Sequence, residues 1–530
     1  MKKSTQLLAL TATATLALSG CSLDGGSSDS PDAGRNRAIS AVQISSSGQI
    51  ERITGPQNPG SQIGMGLCEP LTGIKEDGTI FMRAAESVES TDQRTWTVKI
   101  QPDRTFSDGT PITAKTWVDS FNFSALGSNA MAGNYAFIDI EGYDDLNPSD
   151  GSKPKGKTLS GLELVDDTMF TLTMNKPYND VPYLLSTLPY CPMPESGFAD
   201  PIAYDKLPIG NGPYTLTKLD PQVEAIEELD PNYQGWVPEG AAEKITFKVY
   251  RDANTAYQDV VAGNVDILRS LPPGLVAQGK NSLGEEGLTA IASNTLETYI
   301  SWPTYLDDTF PQEVREAFSM IVDRNAIAEK LFLGSSLGAR SLMPDSVAAY
   351  REDACETCTY DPEKAKSLIE QAGFTGSIPL TYDAANTTDA STALAISNEA
   401  RKIGLDVEPR PVAGNALGEQ INNYELEGPT IQLWGSSFPS ASEWVASILV
   451  DANYHLKYAN PTATKEVAAA WAAKSPEEAT PHWQAAEDAI LADQVLQPLY
   501  YQVMYIAHKD CVDPASAGGD MQIYRSNVTC

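Results

Sequence analysis

The chain has 530 residues, with 37 Lys and Arg against 70 Asp and Glu, for a net charge of −33. At ~100–200 residues per domain this length implies two or three domains with large cores. The acid excess excludes nucleic acid and anionic lipid surfaces as electrostatic partners.

Lys2 and Lys3 precede an apolar run from Leu7 to Leu18, which closes on Leu18-Ser19-Gly20-Cys21. A basic start, an apolar stretch shorter than the ~20 residues that cross a bilayer, and small residues before a cysteine form a lipoprotein signal peptide. Residues 1–20 are therefore expected to be removed, leaving Cys21 as the lipid-bearing N-terminus of an extracytoplasmic, membrane-anchored protein. A single acyl chain anchors weakly and no polybasic segment assists, so two or more chains are expected on Cys21. Residues 21–36, rich in Gly, Ser and Asp, are read as a flexible tether.

Beyond the tether the pattern is mixed α/β. Thr95–Ile100, Phe170–Met174 and Ile245–Tyr250 alternate as half-buried strands do. Thr113 can cap a helix through Trp117, Val118 and Phe121. Val314, Ala317, Phe318, Ile321 and Val322 fall at helical spacing, with Gly334 following. Asp361-Pro362-Glu363 opens another helix, with Asp as N-cap and Pro at the first helical position, and Gly373 suits its end.

With Cys21 assigned to the anchor, six cysteines remain: Cys68, Cys191, Cys355, Cys358, Cys511 and Cys530. An even set in an oxidising compartment suggests three disulfides, for which 15 pairings exist. Sequence proximity favours Cys355–Cys358 and Cys511–Cys530, which leaves Cys68–Cys191. A redox reading of Cys355-Glu-Thr-Cys358 lacks its βαβ context, and a zinc reading lacks a second such pair or a His pair.

Motifs for catalysis are sparse. The three histidines, His455, His482 and His508, make no zinc signature. Gly334-Ser335-Ser336-Leu337-Gly338 matches the nucleophile-elbow pattern, but a helix rather than a strand precedes Ser336. Asp145-Leu-Asn147-Pro-Ser149-Asp150-Gly151 has its glycine one place late for a calcium loop, and Gly156 stands where the bidentate Glu belongs. What remains is aromatic: Trp302, Trp434, Phe438, Trp444, Tyr500, Tyr501 and Tyr505, suited either to a ligand wall or to a core.

Five stretches, in order, resemble the extracytoplasmic solute-binding proteins of family 5 that serve peptide ABC importers. They are Trp96–Ile100 leading to Phe106-Ser-Asp108-Gly109-Thr-Pro111, Pro208-Ile-Gly-Asn-Gly212-Pro213-Tyr214, Val314-Arg315-Glu-Ala317-Phe318 with Asp323-Arg324, Tyr360-Asp361-Pro362 to Gly373, and Trp434-Gly435-Ser-Ser-Phe438-Pro439. Asn134-Tyr135 and Glu141–Leu146 resemble actinobacterial oligopeptide-binding lipoproteins in particular.

The resemblance implies a two-lobed α/β fold of the periplasmic-binding-protein type (class II) with an inserted subdomain. The first lobe would comprise 37–75, 206–292 and 498–530, the subdomain 76–205, and the second lobe 293–497. It implies a monomeric binder without cofactor or catalysis, handing oligopeptides to a permease. Candidate ligand residues are Trp434, Ser436, Ser437 and Phe438, then Trp302, Asn58 and Tyr500. Many peptide binders carry Asp where this chain has Ser437, so either Glu443 takes the ligand's ammonium or the ligand lacks one there. The competing readings are a carrier for an oligosaccharide or metal chelate, a peptide sensor without import, and a surface hydrolase using Ser336.

Overall fold

The computed structural model describes residues 37–44, 61–284, 286–332, 336–450, 454–517 and 520–529. Cys21, Asn58 and Cys530, together with the leader and tether, lie outside the described residues.

One large mixed sheet organises the molecule. Its order is Asp406–Val412, Ser377–Asp383, Thr430–Gly435, Leu288–Ser301, Leu496–His508, Ile267–Leu271, Ala38–Ile44, Lys244–Tyr250, Glu224–Leu229 and Tyr214–Asp220, with Ser336–Gly338 added against Leu496–His508. Leu288–Ser301 and Leu496–His508 are far longer than their neighbours and run antiparallel. Their opposite halves serve different partners. Along the two long strands, Thr430–Gly435 meets the Leu296–Ser301 half and Ile267–Leu271 meets the Tyr505–His508 half. The ladder breaks between these halves: from Ala292 to Glu297 one strand advances five positions while its partner goes from Val503 to Tyr501. Such a bulge bends a strand pair and marks the passage between two bodies.

Each body has its own core. The first centres on Ile39, Tyr214, Ile245, Phe247 and Ile506. The second has a core around Trp302, Phe318, Ile396 and Tyr500 and another around Tyr299, Trp444, Tyr454 and Trp483. A separate four-stranded sheet, Ala85–Ser90, Thr95–Ile100, Met169–Thr173 and Leu162–Asp166, packs on the helix Ala114–Ala125 over Trp96, Trp117, Phe121 and Phe170. This is the inserted subdomain.

Local chemistry explains the elements. Thr95–Ile100 alternates exposed and buried side chains as its sequence period demands. Asp361 accepts from the Lys364 amide, and Gly373 ends that helix at φ +61°. The apolar period from Val314 forms a helix as expected, but the helix ends at Met320 with Ile321 as its cap and does not run on towards Gly334. The segment splits into Gln312–Met320 and Arg324–Phe332, because Asp323 caps a new start by accepting from the Ala326 amide at 3.0 Å. Gly334 lies outside the described residues.

Two disulfides are formed as expected. Cys355–Cys358 is local, with Cα atoms 5.3 Å apart. Cys68–Cys191 spans 123 positions and ties the subdomain to the first lobe. Close backbone packing surrounds that staple: a Cβ on Gly210 would lie 2.0 Å from the Leu67 carbonyl oxygen, and one on Gly212 would lie 2.5 Å from the Cys68 amide nitrogen. Both glycines of Pro208–Tyr214 are thus steric necessities. Cys511 is also disulfide-bonded.

Candidate functional site

The site grows from the end of strand Thr430–Gly435. One edge of this strand is paired with a long crossing strand. Its other edge meets Ser377–Asp383 only at Thr430↔Thr381. Among the described residues, Ile431–Gly435 therefore presents an open main-chain edge, with Leu433 52 % exposed beside it. An open edge of this kind is a template for another extended chain.

The segment that follows folds back on itself. The Trp434 indole N–H donates to the Glu443 carbonyl at 2.7 Å, and its ring stacks on Tyr454 with centroids 4.9 Å apart. The Ser437 amide donates to Glu443 Oε2 at 2.8 Å. This brings the Glu443 carboxylate to the position Ser437 marks in sequence. The surrounding protein pushes Glu443 up to about 7, first through burial and then through repulsion by Asp180 and Asp139, while the Ser437 amide opposes the rise. Ser436 Oγ is buried without a hydrogen-bond partner.

Tyr135, from the short helix Asn134–Phe137 of the subdomain, stands opposite. It is 58 % exposed, yet burial and the nearby Glu443 raise its hydroxyl. Tyr135 and Glu443 thus place a phenol and a carboxyl on facing bodies.

The sequence-based candidates separate in space. Trp434, Ser436 and Ser437 are contiguous and partly open. Phe438 is 1 % exposed and stacks on Tyr183 of the subdomain, 5.5 Å between centroids. Trp302 and Tyr500 are each 1 % exposed and belong to the second-lobe core, Trp302 edge-on to Phe310 and Phe318, and Tyr500 against Phe332. Their aromatic character reflects packing. Tyr135 lies in the Asn134-Tyr135 stretch that carried the family resemblance, but its apolar flanks, Met131 to Ile138, give no sign that its ring is exposed.

The alternatives fare poorly on geometry. Ser336 lies in a strand, 4 % exposed, and its hydroxyl donates to the Tyr501 carbonyl. Asp145 holds Lys155 and Asp150 caps the Ser152 amide, as in a solvated Asx loop. Among the described residues no group of His, Cys, Asp or Glu is placed to hold a metal, and no helix is long and apolar enough to cross a membrane.

Comparison with known proteins agrees with this architecture. Residues 79–455 match the model of bacterial extracellular solute-binding proteins, family 5 Middle. The chain is 25 % identical over 476 residues to the periplasmic oligopeptide-binding protein OppA of Haemophilus influenzae, covering 84 % of both chains. It is 26 % identical over 362 residues to the nickel-binding periplasmic protein of Escherichia coli, covering 64 % of each. The unliganded open form of the murein tripeptide-binding protein MppA superposes with a TM-score of 0.79 at 18 % identity, over 93 % of this chain and 98 % of that one. These likenesses, together with a lobed sheet crossed by two long strands, mean that the chain belongs to the bacterial extracellular solute-binding proteins of family 5, two-lobed binders rather than enzymes.

Proposed function

We propose that the protein captures oligopeptides between its two lobes and delivers them to an ABC permease, held at the membrane by lipid on Cys21. The observation that carries the reading is the open edge of Ile431–Gly435, ending beside Ser437 and Glu443. A peptide laid along that edge gains main-chain hydrogen bonds that any sequence can supply. Its ammonium would meet the Glu443 carboxylate in place of the aspartate that Ser437 replaces, with Tyr135 closing from the subdomain. The ligand-facing set is then Trp434, Ser436, Ser437, Glu443 and Tyr135. Trp302, Tyr500 and Phe438 act through packing, and Asn58 lies outside the described residues.

The lobes proposed are 37–75, 206–292 and 498–530 for the first, 76–205 for its inserted subdomain, and 293–497 for the second. A ligand touching both lobes shifts the open–closed population, and moving it from mostly open to mostly closed takes ~5 kcal/mol of differential affinity.

A chelate or other non-peptide solute is the second reading, favoured by the hydroxyl at Ser437 and by the relatives named as nickel-binding and heme-binding proteins. Native mass spectrometry of protein purified without denaturation separates the two. A ladder of mixed peptide masses supports the first reading, and one discrete non-peptide mass overturns it.

A further inference from the structure

We propose that Asp180 is a latch that fastens the inserted subdomain to the second lobe whether or not the cleft holds a ligand. Asp180 is 6 % exposed. Its Oδ2 accepts from Ser440 Oγ at 2.8 Å and from Ser442 Oγ at 2.5 Å, across 260 and 262 positions of sequence. Burial raises its carboxyl and the two serine hydroxyls oppose that rise, while Glu443, whose carboxyl Asp180 raises in turn, shares its sign. A buried carboxylate held by two hydroxyls has little stabilisation to spare, because it would be better hydrated if the surfaces parted. The arrangement is therefore suited to opening and closing, unlike a core contact.

Neighbouring contacts follow the same boundary. Asn179 Nδ2 donates to the Ala470 carbonyl at 2.9 Å. Lys176 Nζ sits 3.9 Å from the Trp471 ring centroid, and Tyr183 stacks on Phe438. A cavity of about 450 Å³, walled by Trp96 and Tyr183 on one body and by Val347, Pro439 and Trp483 on the other, lies beside them. These surfaces are not fused: room is left between them.

The latch and the ligand-facing groups share ten residues of chain. Trp434, Ser437 and Glu443 face the open edge, while Phe438, Ser440 and Ser442 grip the subdomain. A ligand that orders this segment at Ser437 and Glu443 also sets the two serines for Asp180. The latch deepens the two-lobe capture reading, but it does not depend on which solute is captured.

The test uses the full chain without ligand. Spin labels on exposed Glu163 of the subdomain and exposed Lys465 of the second lobe report the distance between the bodies. Asp180→Ala and the double variant Ser440→Ala/Ser442→Ala should each lower the ratio of short-distance to long-distance populations about tenfold, the loss of two hydrogen bonds to a charged group being largely offset by the burial cost that the carboxylate no longer bears or sheds on opening. Asp180→Asn, which keeps an acceptor oxygen, should recover most of that ratio. If Asp180→Ala does not fold, the serine pair decides. Wild-type distances in the serine variant would overturn the latch, as would a loss of thermal stability in either variant with no change in the distance distribution. Because no ligand is present, failure of the peptide assignment would leave this outcome unaffected.

Discussion

The inserted subdomain has two joints of opposite kind. Toward the first lobe it is stapled by Cys68–Cys191, and the glycines of Pro208–Tyr214 let the backbones meet at close range. Toward the second lobe it is held by hydroxyls on Asp180, one amide on a carbonyl, and stacked rings. A covalent joint cannot open in an oxidising compartment, whereas a joint made of hydrogen bonds and ring contacts opens at a cost of a few kcal/mol. The difference is between a joint fixed by a covalent bond and one whose contacts can each be broken singly, which is the arrangement expected if the subdomain travels with the first lobe.

The comparison can be broken at the permanent joint first. Cys68→Ser/Cys191→Ser should destabilise the protein by about 5 kcal/mol, the loop-closure estimate for a crosslink spanning 123 residues, and should lower the midpoint of thermal unfolding. An unchanged midpoint would mean that the glycine contacts alone hold that joint. At the reversible joint, Phe438→Ala removes a buried ring and should cost about 3 kcal/mol, seen in urea titration. The same variant should increase the rate of ligand dissociation.

The ligand-facing side is sharpened by pH. Glu443 titrates near 7 when folded and near 4.5 when unfolded, so the folded protein holds the extra proton between these values. Its contribution to stability is full below about 4.5 and is lost as pH rises through about 7. Binding of an ammonium runs the other way, because only the ionised carboxyl pairs with it. Affinity for a peptide with a free amino terminus should rise about fourfold from pH 6 to 8, because the carboxyl goes from about one-tenth to nine-tenths ionised while about half of the peptide's own α-ammonium is lost over the same range. The N-acetylated peptide should show no such rise in calorimetry, and Glu443→Gln should abolish it. The smallest effect is expected from Trp434→Phe, which keeps the stack on Tyr454 but loses the N–H bond to the Glu443 carbonyl. About 1 kcal/mol of stability should go with it in denaturant unfolding.

Much of the frame was legible before any coordinates. The period-2 strand Thr95–Ile100, the capped helix from Asp361 to Gly373 and the Cys355–Cys358 pair depend on local periodicity, capping or chain proximity, and these survive folding, whereas Cys68–Cys191 followed only as the pair left over. The helix beginning before Val314 is present, but its end is not legible from apolar spacing, which does not register Asp323 turning to cap a new helix start. Trp302 and Tyr500 were misplaced because an aromatic residue carries the same signature in a core as in a ligand wall, and only the neighbouring chain decides. Asp180 was invisible for a related reason: its meaning comes from serines 260 residues away. Ser437 and Glu443 were readable as a pair of alternatives, and the fold of their shared segment brings the two together.

The offset in the long strand pair has one more consequence. Side chains alternate along a strand, so slipping one residue turns every later side chain over. The number of residues between Ala292 and Glu297 therefore sets which way the remainder of that strand faces. Shortening that stretch by one residue would exchange the two cores that Tyr299 and Ile300 serve, while the neighbouring strands keep their own facing. The division of the second lobe between its two cores is in this sense a matter of counting along a single strand.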